Sequence, residues 1–280
     1  MHFTAGSSVE KIPIKQLQKK ADMIRREVVT VCMANGAGHI APSLSCVDIL
    51  TALYYSEMNI TGDPQNPDRD RLIFSKAHGC YGLYAILADI GYVPQLMWKG
   101  FYKDSRLSGC IEYAPDIGIE AGCGALGHGL PMAVGLAWGA RIQKKSYRVF
   151  CIIGDGEMQE GSNWEALMLA VKYGLDNLIL IVDANGLQAM DFLENVMTPR
   201  GLGNKDLEKK LRAFGMHTVY CNGHNPEIIA KTIRKLKRNV PHAIIAETVK
   251  GYGLTCMENV PKFHFRLPTP EEMTMGCRYE

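Results

Sequence analysis

The chain has 280 residues, enough for one large domain or at most two small ones. Hydrophobic residues make up 47% of it and charged residues 21%, an ordinary globular composition that argues against a disordered chain. Its 31 Lys and Arg residues nearly balance its 29 Asp and Glu residues. The resulting net charge of +2 gives no electrostatic case for binding nucleic acid or an acidic membrane surface.

The cysteines and the apolar segments narrow the class of protein further. Nine cysteines include no Cys-x-x-Cys pair, which argues against a zinc knuckle or a thioredoxin motif. Their odd number, with Cys151 inside an apolar run, predicts reduced thiols and a cytoplasmic protein. No apolar signal-peptide core lies near the N terminus. Residues 121–140 carry no formal charge, but six glycines and a proline favour a loop leading into a buried helix over a membrane span.

The first half of the chain alternates helical patterns with loops. Apolar residues spaced three and four apart from Ile14 to Val28 predict a helix, and a second helix is predicted to begin with Ser43 as its N-cap. The glycine and prolines of 62–68 predict a loop, and a short strand follows at 71–75. The rest of this half is predicted to contain a helix through 83–87, irregular structure at 92–125 and a helix at 130–142.

The second half contains the pattern that determines the predicted fold. Continuous apolar runs at 149–153 and 178–182, separated by a helix at 163–173, predict two strands buried on both faces in a right-handed βαβ unit. Further strands are predicted at 218–220 and 243–246, with a helix between them that Asn225 caps. Together these elements predict one α/β domain with a doubly wound, mostly parallel sheet and helices on both faces. Residues 268–280 are predicted to be a surface extension.

Polar residues follow both buried runs directly. Gly154-Asp155-Gly156 follows the first, and Asp183-Ala184-Asn185 follows the second. Ligands of such sheets bind beyond the carboxyl ends of the strands, so neighbouring strands would bring Asp155 and Asn185 to one point. Their oxygen atoms suit Mg²⁺ or Ca²⁺, and the ion would tether a diphosphate that the adjacent glycine amides approach. Gly-Asp-Gly alone is also a common turn; the joint placement of the two motifs favours the metal site.

Five sequence blocks carry a family resemblance. The stretch GDGEMQEGSNWEALMLAVKYGLDNLILIVDANGLQ (154–188) resembles the thiamine diphosphate motif of the transketolase family. Four further blocks resemble that family in the same order: ANGAGHIAPSLS (34–45), DRLIFSKAHGCYGLYAIL (70–87), GCGALGHG (122–129) and KGYGLTCMENVPKFHFRLP (250–268). The resemblance spans about residues 20–268 and is strongest to the form in which transketolase is split into two polypeptides. It implies that residues 1–280 form a single diphosphate-binding domain of the thiamine diphosphate-binding fold.

The resemblance also implies a role for each matching residue. The metal ligands would be Asp155, Asn185 and the backbone carbonyl of Leu187. His39 would face the reacting carbon and move protons to and from substrate hydroxyls. The other catalytic candidates are His78, which would also bind the diphosphate, and His264. Besides His78, Asp155 and Asn185, the cofactor-binding candidates are Gly124, Leu126, Gly154, Gly156, Glu157 and Glu160, the last in the acidic network between the active sites of a dimer.

Three positions depart from the family pattern. Cys110 lies where the family has a histidine that contacts the donor substrate. A thiol is a weak hydrogen-bond donor without positive charge, and losing such a contact costs roughly 1–3 kcal/mol. Either the donor differs from an ordinary ketose phosphate, or another residue supplies the contact. His128 lies where the family commonly has Gln, and the spacing from His264 to Pro268 differs by one residue from many relatives.

The family's pyrimidine-binding and C-terminal domains have no counterpart in residues 1–280. The resemblance therefore implies an N-terminal subunit that is inactive alone and forms a heterotetramer with a second subunit carrying the pyrimidine-binding domain. With thiamine diphosphate and Mg²⁺ or Ca²⁺, the enzyme would transfer a two-carbon ketol unit from a ketose phosphate donor to an aldose acceptor through a cofactor carbanion. No nucleic acid or membrane partner is expected.

Two alternatives remain open. One is a related thiamine diphosphate enzyme that decarboxylates 2-oxo acids or resembles deoxyxylulose-phosphate synthase. Glu160-Gly161 and Trp164-Glu165-Ala166 favour a transketolase over it, whereas Cys110 keeps it open. The other alternative is a non-catalytic scaffold subunit that retains the fold, and the intact metal motif argues against it.

Overall fold

A sheet of five parallel strands lies at the centre of the computed structural model, which describes residues 9–103, 105–189, 191–199, 201, 203–237 and 239–275. The spatial order of the strands is β1-β2-β3-β5-β4. Those strands are β1 (Arg71–Phe74), β2 (Val149–Gly154), β3 (Leu178–Ala184), β4 (His217–Asn222) and β5 (His242–Glu247).

The burial of each strand follows its place in the sheet. Every residue of β2 and β3 is buried, as their continuous apolar runs predicted, because helices cover both faces of the central strands. Edge strand β4 is less buried: Thr218 and Cys221 are its two buried residues, and the other four are partly or fully exposed. The predicted βαβ unit is confirmed, since β2 and β3 pair in parallel with one helix between them.

The helices of the described chain pack in two layers on this sheet. Helix α6 packs against β1, β2 and β3 and against α7, and α9 packs against β4 and β5. Helix α10 packs on β4 and against α1 and α3. The helices are α1 (Leu17–Asn35), α2 (Ile40–Leu44), α3 (Val47–Ala52), α4 (Tyr81–Asp89), α5 (Gln95–Lys99), α6 (Gly129–Ile142), α7 (Gly161–Lys172), α8 (Leu193–Val196), α9 (Asn204–Ala213), α10 (Pro226–Arg234) and α11 (Pro270–Met275).

The predicted doubly wound α/β architecture is confirmed, and so is the start of α10. The side chain of Asn225 accepts a hydrogen bond from the Ile228 amide, and Pro226 is the first helical residue. The uncharged segment 121–140 ends in α6 rather than in a membrane span. Among the described residues, no helix combines the length and the apolar character that crossing a bilayer requires.

Two local predictions were wrong: the N-cap at Ser43, and the wholly irregular structure at 92–125, which contains helix α5. Ser43 does not cap a helix: it lies inside α2, and its hydroxyl donates 2.9 Å back to the carbonyl of His39, which occupies the N-cap position. A serine that bonds the carbonyl four residues earlier is compatible with a helix interior, and the sequence pattern did not reveal this. Within the predicted surface extension, residues 270–275 form the short helix α11, whose Glu272 pairs with Arg266. Residues 276–280 lie outside the described part of the chain.

Two glycines of α6 provide a matched test of the packing beside β1. A Cβ on Gly129 would lie 2.2 Å from the Ser75 hydroxyl oxygen and 2.9 Å from the Ser75 Cα, whereas a Cβ on Gly135 meets no atom within 4 Å. We expect Gly129→Ala to lower the unfolding free energy of the isolated chain by about 1–3 kcal/mol through overpacking. Gly135→Ala should raise it by up to about 1 kcal/mol through helix propensity. Urea denaturation measures both, and equal effects of the two substitutions would contradict this packing argument.

Candidate active site

The ends of β2 and β3 bring Asp155 and Asn185 to one point. In the strand register, Gly154 lies opposite Asp183, so the turns that follow the two strands begin side by side. The Asp155 carboxylate accepts the Gly186 amide at 2.6 Å. The Asn185 side-chain oxygen accepts the Leu187 amide at 3.0 Å. Both residues line the same cavity, and their joint binding of a metal ion stays a prediction.

The oxygen atoms at this point fit a divalent cation. Burial raises the pKa of the Asp155 carboxyl to about 7, and the negative charge of Asp183 contributes to the shift. A cation bound against this carboxylate would offset the free-energy cost of burying its charge and would favour the ionised form. Within the described ranges no group of three His, Cys, Asp or Glu side chains converges, so a site here depends on amide and carbonyl oxygens. Mg²⁺ and Ca²⁺ accept such ligands.

One cavity of about 380 Å³ collects nearly all the predicted site residues. It lies at the carboxyl edge of the sheet, where parallel α/β folds bind ligands. His39 borders an adjoining cavity instead. The predicted residues that line the 380 Å³ cavity are His78, Gly124, Leu126, Gly154, Asp155, Gly156, Glu157, Glu160, Asn185, Leu187 and His264.

Glu157 contacts the protein around the cavity as well as lining it. Its Oε1 accepts the Ser75 hydroxyl at 2.5 Å and the Gly127 amide at 3.0 Å. These bonds hold the glycine loop against the end of β1. Glu157 lies in a 3-10 turn, and the exposed Glu160 is the N-cap residue of α7, so both precede that helix and neither lies within it.

Three histidines from distant blocks meet at the mouth of the cavity. The ring centroids of His78 and His264 are 4.8 Å apart, and the His39 ring lies 5.6 Å from each of them. Burial and the charge of Lys76 lower the pKa of His78 to about 2. Burial and the charge of Lys250 lower the pKa of His264 to about 3 and that of His39 below its usual value. All three imidazoles are therefore neutral at pH 7, able to donate one proton and accept another.

Two buried lysines in the same cavity were missed by the sequence reasoning. Lys76 lies two residues before His78, and Lys250 opens the block that contains His264, so their proximity to those histidines was the available signal. The Lys250 ammonium donates to the Gln188 carbonyl at 2.7 Å and contacts Nδ1 of His264 at 2.8 Å. Burial and the nearby charge of Lys76 lower the pKa of Lys250 to about 7. An anion bound in the cavity would favour its charged form.

Lys76, which lines the cavity, forms an ion pair with the fully buried Asp183. The sequence pattern predicts Asp183 just after a strand, but β3 extends to Ala184, so Asp183 is a buried strand residue. Burial opposes ionisation of both groups, but the charge of Lys76 lowers the pKa of Asp183 to about 2, and the charge of Asp183 raises the pKa of Lys76 above its usual range. The hydroxyls of Ser45 and Thr248 also donate to this carboxylate. Asp183 therefore has partners within the protein, whereas Asp155 faces the cavity.

An adjoining cavity of about 710 Å³ contains the position where the sequence departs most from the family pattern. His39 and Cys110 both line it, and the Cys110 side chain is exposed. The Phe265 ring, 73% exposed, lies 4.9 Å from the His39 ring. The Tyr81 hydroxyl donates to the Gly109 carbonyl at 3.0 Å and lies 3.5 Å from Nδ1 of His39. The two cavities meet at the histidines.

Comparison with known proteins identifies relatives along nearly the whole chain. Residues 16–268 match the family model described as transketolase, thiamine diphosphate binding domain. One subunit of the apulose-4-phosphate transketolase of Actinobacillus succinogenes is 40% identical, over 93% of this chain and 94% of that protein. One subunit of the 6-deoxy-6-sulfo-D-fructose transketolase of Clostridium sp. (strain MSTE9) is 36% identical, over 92% and 93%. Human transketolase is 34% identical, and the match spans 93% of this chain but 41% of that protein.

Solved transketolase structures share the fold. The enzyme from Campylobacter jejuni superposes with a TM-score of 0.82 at 29% identity, covering 94% of this chain and 42% of that one. The enzyme from Leishmania mexicana gives 0.79 at 27% identity, with 92% and 39% covered. The family model, the relatives and the shared fold all include the sheet edge described above. The chain therefore belongs to the transketolase family and carries its thiamine diphosphate binding domain.

Proposed function

We propose that this chain is the diphosphate-binding subunit of a two-chain transketolase. It would transfer a two-carbon ketol unit from a ketose phosphate to an aldose once a second subunit supplies the pyrimidine-binding domain. The observation that carries this proposal is that Asp155, Asn185, His78 and His264 line the same cavity. Lys250 adds positive charge on the same wall.

The lengths of the relatives support a two-chain enzyme. The chain spans 94% of the A. succinogenes protein, whose name describes it as one subunit of an enzyme, and 41% of human transketolase. The near-complete coverage of that subunit supports the proposal that a second subunit supplies what lies outside the match in human transketolase. The names of the two bacterial relatives also suggest the donor class, since apulose 4-phosphate and 6-deoxy-6-sulfo-D-fructose are both ketoses with a terminal anionic group.

The cavity residues would divide the binding of the cofactor between them. Asp155, Asn185 and the Leu187 carbonyl would hold the divalent ion that bridges to the diphosphate. His78 and Lys250 would donate to phosphate oxygens. When bound, thiamine diphosphate supplies an electron sink that allows a carbon–carbon bond beside a carbonyl to break and form again.

His39 is placed to move a proton at the substrate. Because the Tyr81 hydroxyl already donates to Gly109, the contact between Tyr81 and His39 requires Nδ1 of His39 to be the donor. Nε2 is then unprotonated and free to accept the proton of a substrate hydroxyl. The Phe265 ring contacts this imidazole edge to face, with the ring centroids 4.9 Å apart.

An apolar surface on α6 and α7 supports assembly with other chains. Trp138, Ile142, Met168, Leu169 and Tyr173 are between 37% and 67% exposed. The rings of Trp138 and Tyr173 stack 4.6 Å apart. Clustered exposed apolar side chains of this kind mark protein interfaces. We assign this surface to the contacts between chains in the proposed heterotetramer.

The first experiment tests activity with the second subunit, sought as the product of a neighbouring reading frame. We expect the chain alone to be inactive. The pair should transfer a ketol unit from apulose 4-phosphate or xylulose 5-phosphate to an aldose phosphate, measured by product chromatography. Pyruvate is the control donor: release of carbon dioxide from pyruvate without ketol transfer would favour the decarboxylase alternative. Absence of metal-dependent heat when the pair is titrated with thiamine diphosphate and Mg²⁺ would favour the scaffold.

The second experiment tests the metal ligand. Asp155→Asn retains the shape of the side chain but removes its charge, so the affinity of the pair for thiamine diphosphate and Mg²⁺ should fall by about 100-fold or more. Without cofactor the variant should be at least as stable as the original, because a buried carboxylate without a cation is costly. Calorimetry and urea denaturation measure the two effects. The control is Asp116→Asn, at an exposed carboxylate; unchanged affinity in Asp155→Asn would exclude the ligand role.

The third experiment uses the lowered pKa values of His78 and His264. Between about pH 3 and about pH 6.5, an unfolded chain binds protons that the folded histidines do not, so the unfolding free energy should decrease as the pH falls through this range. His78→Gln should weaken that dependence, measured by urea denaturation of the cofactor-free chain at about pH 7 and about pH 5. The exposed His128 is the control, because His128→Gln should retain the full dependence. An equal pH dependence in both variants would show that His78 does not resist protonation.

A further inference from the structure

His224 lies outside both cavities but contacts the segment that carries Lys250. It is in the turn between β4 and α10, just before the cap residue Asn225. Its Nδ1 lies 3.0 Å from the Asp48 carboxylate, and its Nε2 accepts the Val249 amide at 2.7 Å. The Tyr252 ring stacks on the imidazole at 3.6 Å, with 14° between the planes.

These contacts determine the protonation of the imidazole. A backbone amide can only donate, so Nε2 must be the unprotonated acceptor for Val249. Nδ1 then carries the proton and donates it to Asp48. Asp48 is fully buried and is also held by Arg25 at 2.5 Å. His224 is therefore a neutral link between the buried Asp48 and the backbone at Val249.

The backbone held by His224 leads directly into the cofactor cavity. Val249 precedes Lys250, whose ammonium contacts both the Gln188 carbonyl and Nδ1 of His264. While Lys250 is charged it can only donate, so the proton of His264 lies on Nε2, the nitrogen that remains free. The next residue, Gly251, donates its amide to the Ala41 carbonyl at 3.0 Å. The position of Lys250, and through it the orientation of His264, thus depends on where Val249 is held.

We propose that His224 is a positioning residue for cofactor binding: by accepting the Val249 amide it places Lys250, and through Lys250 it orients the His264 ring. This inference rests on the proposed function, because Lys250 and His264 placed in this way would bind a diphosphate. The hydrogen bond to Val249 should matter more than the imidazole's contacts with Asp48 and Tyr252.

Two substitutions separate these contributions. The amide of His224→Asn mimics Nδ1 and can still donate to Asp48, but it does not reach Val249. The longer amide of His224→Gln places an oxygen near the former Nε2 and can accept the Val249 amide. Both variants lose the stacking on Tyr252, so a general loss of stability should be common to the two.

The measurements are the affinity of the reconstituted pair for thiamine diphosphate with Mg²⁺, by calorimetry, and amide hydrogen exchange of residues 248–254 in the free chain. We expect His224→Asn to bind the cofactor about 10-fold more weakly or worse and to lose protection in this segment, and His224→Gln to retain most of both. Equal affinities for the two variants and the original pair would overturn the inference. If the original pair binds no cofactor, the proposed function is wrong, whatever the role of His224. In that case the hydrogen-exchange measurement still tests the inference: protection of residues 248–254 that is unchanged in His224→Asn would overturn the role assigned to the Val249 hydrogen bond.

Discussion

The parallel register of β2 and β3 is the constraint on which the site depends. Because Gly154 pairs with Asp183, the chain leaves both strands at the same height, and the Asp155 amide donates to the Asp183 carbonyl. The two turns then cross-link through the Gly186 amide on the Asp155 carboxylate. A shift of one residue in this pairing would turn the side chains of one strand to its other face and separate the predicted metal ligands.

A buried ion pair beneath this edge connects the separate sequence blocks. Lys76 follows β1, Asp183 belongs to β3, and Ser45 lies at the end of α2, yet their side chains bond to one another. Breaking such a pair by removing one partner costs about 3–5 kcal/mol, because the remaining charge stays buried. The pair thus makes the folding of the sheet and the shape of the cavity floor interdependent.

The charge distribution of the cavity suits an anion held through a cation. Asp155 supplies a carboxylate whose burial is unfavourable without a positive partner, while Lys250 lines the same cavity and bonds to no carboxylate of the described residues. The three histidines add hydrogen-bonding capacity without net charge. A diphosphate bound with a metal ion would give Asp155 a positive partner and Lys250 a negative one. The ion would bind at Asp155, and the phosphate oxygens would accept hydrogen bonds from the lysine and the imidazoles.

The sequence by itself determined the fold class, the order of the strands along the chain and the Asp155–Asn185 pair, because burial on both faces leaves continuous apolar runs and strand ends are local features. The family resemblance added the histidines. Only the tertiary structure decided the roles of Lys76, Lys250, Asp183 and His224. Their partners lie between 14 and 176 residues away in the chain, and no local pattern shows which buried charges will meet. The distinction between Asp155, which faces the cavity, and Asp183, which is held by protein groups, likewise required the packed sheet.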